Sequence, residues 1–211
     1  MTHSLNELES LLKKAAVGAG FPVGHAVAIA AAGVWLARRD MPVCEVVVRT
    51  IAGGMGDCQI VRDKGGATFQ PARAGVDGPH AIDLLLADAG DETATLEDVD
   101  EPVLLLGLAG VAGKANQLGF AIASTEGDIV VDDVAAMPSP DWIVAAKRRM
   151  TLRLLADRPP SGETGLASRY DPVACGDSGW EALEALAHMT YVPASDQSRI
   201  SGAGAGLTDN D

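Results

Sequence analysis

Apolar residues at the start of the chain recur at helical spacing. Leu5, Leu8, Leu12, Ala15 and Ala16 fall on one stripe, while Asn6, Glu7, Glu9, Lys13 and Lys14 take the rest of the surface, as in an amphipathic helix. Ser4 and Glu7 form a capping box, Glu9 precedes Lys13 in the favourable order, and Gly18 and Gly20 stop the helix. Pro22 suits the first turn of a second helix. That helix runs to Arg39, apolar nearly all round and therefore buried, until Met41-Pro42 ends it. The two predict a helical hairpin.

The run CEVVVRTIAGG is rich in β-branched residues and fits a strand or a buried helix equally well. Gly65-Gly66 predicts a hairpin tip between CQIVRD and ATFQP, and Pro79 predicts the start of a helix reaching Ala89. The acidic stretch from Asp91 to Glu101 reads as a connector, the one place where a single domain of 211 residues could be subdivided. Beyond it the apolar period changes to two. PVLLLGLAGVAG, QLGFAIAS and DIVVDD read as strands, the last two joined by a turn over Thr125 to Asp128. Asp141 predicts a cap for WIVAAKRRM, MTLRLLA fits a strand or a helix continuation, and DRPPSGETG reads as a surface loop. Ser178 and Glu181 make a second capping box, opening a helix that ends near Met189 before Pro193. The predicted fold class is α+β, with an N-terminal helical hairpin, a central and largely antiparallel sheet and a C-terminal helix.

Composition sharpens this picture. Aromatics are only 4% of the chain and hydrophobic residues 47%, so the core is expected to be aliphatic and closely packed, with Ala/Gly-rich surfaces suited to a homo-oligomer. The net charge of −13 and the dispersed basic residues remove the electrostatic footprint of nucleic-acid or anionic-membrane partners. The uncharged stretch from Ala15 to Ala37 is interrupted by Gly18, Gly20 and Pro22, which argues against a membrane span, and its acidic amphipathic lead-in argues against a signal peptide. Three widely spaced cysteines, Cys44, Cys58 and Cys175, give neither a disulfide framework nor a structural zinc pattern, and a cytoplasmic location is expected.

No complete catalytic signature is present. GLAGVAGK lacks the glycine and the Ser/Thr that a P-loop requires, with Leu108 and Ala115 at those positions, and Ala109 breaks the dinucleotide pattern. Small residues in a tightly packed strand account for it. CGDSGW contains the string that surrounds the nucleophile of chymotrypsin-like proteases, but Ser178 there heads a helix and is read as a cap. His25, His188 and His3 read as core, helix-end and terminal residues. Asp128, Asp132 and Asp133 bracket one strand without the spacing of a calcium or magnesium loop. The remaining candidates are His80, after Gly78-Pro79, and Cys58 with Asp57 in GGMGDCQ, where Asp57 would raise the thiol pKa. As catalytic candidates they point to a small-molecule enzyme or ligand-binding protein of metabolism, with a pocket between helices and sheet. No cofactor or metal follows from them. The reading from a different class is a non-catalytic assembly protein.

The segments SLNELESLLKKAAVGAGFP, DEPVLLLGLAG and SGWEALEALAHMTYVPASDQSRISGAGAGLTDND resemble, over nearly the full length, an uncharacterised bacterial family known as a domain of unknown function, number 3726 in its series. The ending GAGAGLTDND looks like a hallmark of that family, which implies that the tail belongs to the folded design. The resemblance brings no activity, cofactor or catalytic residue. The opening helical pair is also similar to the N-terminus of malate/lactate-type dehydrogenases, without the glycine and histidine signals that follow in those enzymes. A bulk-free tail of this kind can lie against a surface and place Asp209 and Asp211 near a cationic or amide-rich spot, and its glycines equally allow a disordered terminus.

Overall fold

The computed structural model describes residues 2–88, 92–131, 137–155 and 172–191. Helix α1, Leu5–Gly18, begins at the expected capping box: Ser4 Oγ accepts from the Glu7 amide, and the Glu7 carboxylate accepts from the Ser4 amide at 2.8 Å. Its Leu5, Leu8, Leu12, Ala15 and Ala16 are buried against α2, Val23–Ala37, which completes the hairpin. CEVVVRTIAGG resolves as helix α3, Val43–Gly53. An acidic Glu45 in its first turn and burial of Val43, Val46, Val47 and Ile51 along one face favour that outcome.

A six-stranded mixed sheet follows, built from β2 (Gln59–Asp63), β3 (Gly66–Gln70), β4 (Thr93–Glu97), β5 (Gly119–Ser124), β6 (Gly127–Val130) and β7 (Arg149–Leu155). Its order is β2-β3-β4-β7-β5-β6, and every pairing is antiparallel except β3 with β4. The hairpin β2-β3 turns at Lys64-Gly65. Gly66 enters β3 at φ 141°, a conformation that suits glycine, and lies against the Thr93 carbonyl where a side chain would clash. A separate pair joins β1 (Thr2–Ser4) to β8 (Pro172–Ala174) near helix α7, Asp177–His188.

Helices α4 (Ala74–Asp88) and α5 (Pro102–Asn116) pack on the sheet, and α5 also packs on α2, so the helical hairpin lies beyond them. One hydrophobic cluster runs from Leu5 through Leu104 and Phe120 to Leu183. Helix α6, Pro140–Arg148, packs on β5 and β7, with Trp142 Nε1 donating to the Gly127 carbonyl at 3.1 Å. Among the described residues, no helix is long and apolar enough to cross a membrane. The architecture is α+β, with the predicted hairpin, largely antiparallel sheet and C-terminal helix.

Several local expectations are overturned. PVLLLGLAGVAG is helix α5 instead of a strand: buried on nearly all sides, it carries no polar stripe that would reveal a period, while Pro102 opens it and left-handed Gln117 closes it. Its small residues are therefore a helix-packing device, with Gly107 against Ala32 and Gly110 against Trp35. The acidic connector contains strand β4, whose Ala94, Thr95 and Leu96 are buried. Pro79 lies inside α4, which starts five residues earlier at Ala74. Ser139 caps α6, and Asp141 occupies its first turn. Ser178 makes no cap: Gly176 holds that position, and Ser178 is exposed inside the first turn of α7. MTLRLL, Met150 to Leu155, lies in strand β7, paired on both sides, which decides between strand and helix continuation. The DRPPSGETG loop, Asp132, Asp133, Pro193 and the Gly202 to Asp211 tail lie outside the described residues.

Candidate functional site

The parallel pair β3-β4 delivers two strand-to-helix junctions to the same edge of the sheet. After β3 the chain passes through a cis Gln70-Pro71 bond, Ala72 and Arg73 into α4. After β4 it passes through Asp98, Val99, Asp100 and Glu101 into α5. The Ala72 amide donates to the Glu97 carbonyl at 2.9 Å and the Asp100 amide to the Ala72 carbonyl at 3.3 Å, which ties the junctions together. Two helix N-termini thus meet outside the carboxyl ends of adjacent parallel strands, where open α/β sheets place ligands.

Asp100 sits between them. Its Oδ1 accepts from the Ala74 amide and from the Glu101 amide, each at 2.7 Å, so one oxygen serves both junctions. The other oxygen, Oδ2, is buried against Gly53 and has no hydrogen-bond partner among the described residues. Burial pushes the Asp100 carboxyl above its ordinary range, opposed by the two amides and by Arg73. Arg73 Nε is likewise buried without a hydrogen-bond partner among the described residues, near Gly56 of the glycine-rich α3-β2 loop. The Arg73 amide donates to Asp77 Oδ2 at 2.6 Å, holding a carboxylate that is only 4% exposed. Glu101, 1% exposed, pairs with Arg49 Nε of α3 at 2.5 Å.

Cys58 borders this cluster. Its thiol is pushed up to about 11, first by burial and then by the charge of Asp77. At neutral pH it is a protonated thiol, able to donate a hydrogen bond but a poor nucleophile. The sequence paired it with Asp57, which is exposed; the structure sets Asp77 beside it instead. His80 lies one turn beyond Asp77 on α4, exposed, with its ring edge-on to His25 at 5.4 Å between centroids. His25 Nε2 is buried with no hydrogen-bond partner among the described residues. Cys58 thus meets α4 at Asp77, while His80 sits one turn further along that helix and faces His25 of α2.

The other chemistry-bearing residues are dispersed. Asp128 pairs with Arg153 at 2.8 Å, His3 stacks on Trp180 at 3.4 Å, and His188 meets the Tyr191 ring. Among the described residues no group of three or more His, Cys, Asp or Glu could hold a metal ion. Cavities of about 430, 360 and 290 Å³ lie between α2 and α5, between α1 and α7, and between α3 and β8. None of these three contains His80, Cys58 or Asp57.

Arg73, Asp77, Asp100, Arg49 and Glu101 escaped sequence reasoning. The signal was DVDEPV: an acidic residue after a strand and before a helix-opening proline marks a βα junction, but only once the following apolar run is read as a helix.

No curated protein matches the sequence. Among solved structures, sulfolactate dehydrogenase from Methanocaldococcus jannaschii is similar at 15% identity and TM-score 0.46 over 59% of this chain and 41% of that one. Malate dehydrogenase from Entamoeba histolytica gives 13%, 0.43, 62% and 43%. Malate dehydrogenase from Pyrococcus horikoshii OT3 gives 15%, 0.45, 59% and 40%. The chain thus spans about two fifths of those enzymes, and likenesses this slight carry no argument about activity. The family match covers the helical hairpin, α3 and the start of β2, leaving the other two resembling segments outside it. Residues 3–60 match the family described as a protein of unknown function, DUF3726.

Proposed function

We propose that this protein binds a small polar metabolite at the junction of β3-α4 and β4-α5, and that Asp100 and Arg73 are the residues that hold it. The observation that carries this reading is the pair of orphaned buried atoms: a donor, Arg73 Nε, and an acceptor, Asp100 Oδ2, on side chains close enough to interact electrostatically. Buried polar groups left unmatched are costly, about 1–3 kcal/mol each, and persist where a ligand or water completes them. A hydroxyl or a protonated acid group matches both atoms, accepting from Arg73 and donating to Asp100. Cys58 supplies a neutral thiol donor nearby, and Gly53 to Gly56 allow backbone to approach closely. A carboxyl with a raised pKa is also equipped to exchange a proton with a bound substrate, which supports an enzymatic role.

The test is a thermal-shift screen of the full chain against small hydroxy acids, sugars and phosphate esters. The reading expects at least one compound to raise the melting temperature of the wild type and to lose that effect in both R73Q and D100N. A stabilising compound whose effect survives in both variants would place the binding site elsewhere.

A further inference from the structure

Away from the β3-β4 edge, two cysteines that are far apart in sequence meet. Cys44 is the second residue of α3, and Cys175 stands between β8 and the N-terminus of α7. Their thiols are close enough for each to perturb the other's titration, and the two residues are 1% and 9% exposed. The approach is built in: Gly179 of α7 faces Cys44, where a Cβ would sit 2.9 Å from the Cys44 Cβ. Both thiols also lie at helix N-termini, where backbone dipoles favour the thiolate, although the Glu45 carboxylate opposes this. A cavity of about 290 Å³, lined by Met41, Pro42, Glu45, Val173 and Gly176, adjoins the sequence neighbours of both cysteines.

We propose that Cys44 and Cys175 form a reversible oxidation site, in which a small hydroperoxide converts the pair to a disulfide that fastens the β8-α7 segment to α3. The Cys175 thiolate attacks the hydroperoxide, the O–O bond breaks, and Cys175 becomes a sulfenic acid as the oxidant leaves as water or an alcohol. Cys44 sulfur then attacks the Cys175 sulfur, the S–O bond breaks, a second water leaves, and the disulfide forms. The two thiols lose two electrons and the hydroperoxide gains them. Cys175 is the sulfur oxidised first because Cys44 pushes its thiol down, while Cys175 and burial push the Cys44 thiol up and keep it protonated until the second step. A dithiol reductant returns the pair to thiols. This site is independent of the Asp100-Arg73 reading.

The experiment treats the folded full chain with hydrogen peroxide, blocks free thiols with N-ethylmaleimide under denaturing conditions, and maps the unreduced digest. The expected result is a linked peptide pair containing Cys44 and Cys175, with Cys58 alkylated, and its disappearance after dithiothreitol. In C44S, dimedone should trap Cys175 as a sulfenic acid; in C175S, Cys44 should stay alkylatable. Recovery of Cys44 and Cys175 both alkylated in the wild type, after peroxide has consumed a control peptide thiol, overturns the proposal. So does a linked pair containing Cys58.

Discussion

The seam between α2 and α5 gives a sharp test of how the hydrophobic cluster is assembled. Gly107 of α5 faces the backbone of α2: a Cβ there would lie 2.6 Å from the Ala32 carbonyl oxygen, 3.0 Å from the Ala32 Cβ and 3.1 Å from its carbonyl carbon. Two opposing effects set the outcome of G107A. Replacing glycine by alanine in a helix interior is intrinsically favourable by about 1 kcal/mol. Yet all three contacts are shorter than ordinary van der Waals separation, and two involve backbone, which cannot rotate away. The helices must part by several tenths of an ångström along a seam that also holds Gly110 against Trp35. Such overpacking typically costs about 1–3 kcal/mol. Because two of the contacts are with backbone, the upper part of that range applies, for a net loss of about 1–2 kcal/mol. G24A is the matched control: Gly24 lies in α2 with nothing within 4 Å of an added Cβ, so the propensity term acts alone and should stabilise by about 0.5–1 kcal/mol. Urea unfolding followed by circular dichroism reads both. If G107A matches or exceeds wild-type stability, the close α2-α5 approach is wrong.

Three further outcomes follow from the local chemistry. Cys58, with its thiol near 11, should react with iodoacetamide at pH 8 about a hundred-fold more slowly than an unperturbed cysteine, and D77N should accelerate it; a slower or unchanged D77N rate would remove Asp77 as the cause. S139A should lose about 0.5–2 kcal/mol because Ser139 Oγ caps α6 by accepting from the Trp142 amide at 3.2 Å, while S178A should stay within about 0.5 kcal/mol of wild type. Because the folded pKa of Asp100 is raised, the native state keeps a proton that the unfolded chain has shed, so stability should fall as pH rises from the ordinary carboxyl range through that raised value. D100N, which retains an acceptor for both amides, should flatten that part of the profile in urea titrations run from acid to neutral pH; an unchanged slope would show that Asp100 titrates normally.

The legible parts of the fold were those written in local chemistry. The Ser4-Glu7 box, the glycine-marked hairpin between CQIVRD and ATFQP and the strand in QLGFAIAS are each set by a few residues, and each is realised, with the hairpin turn at Lys64-Gly65. Tertiary burial erased the rest. PVLLLGLAGVAG has no polar face because α2, α4 and the sheet surround it, so its period is hidden, and misreading it also hid Asp100 and Glu101 as the start of a helix. The Ser178 box failed because Gly176 and Asp177 start α7 earlier. Cys58 stood out in the sequence, but the partner that perturbs it, Asp77, comes from a different element, and Cys44 and Cys175 give no sign in sequence that they meet.

Isothermal titration of wild type, R73Q and D100N with the most stabilising compound from the screen tests the Asp100-Arg73 site most directly. D100N replaces the orphan acceptor with a donor and R73Q removes the orphan donor, while neither removes the backbone hydrogen bonds that shape the junction. Loss of a matched buried hydrogen bond to a charged group is worth about 1.5–3 kcal/mol, so each variant should raise Kd by about ten-fold or more. Dissociation constants within about two-fold of wild type in both variants, with folding intact, would contradict the assignment of this junction as the ligand site.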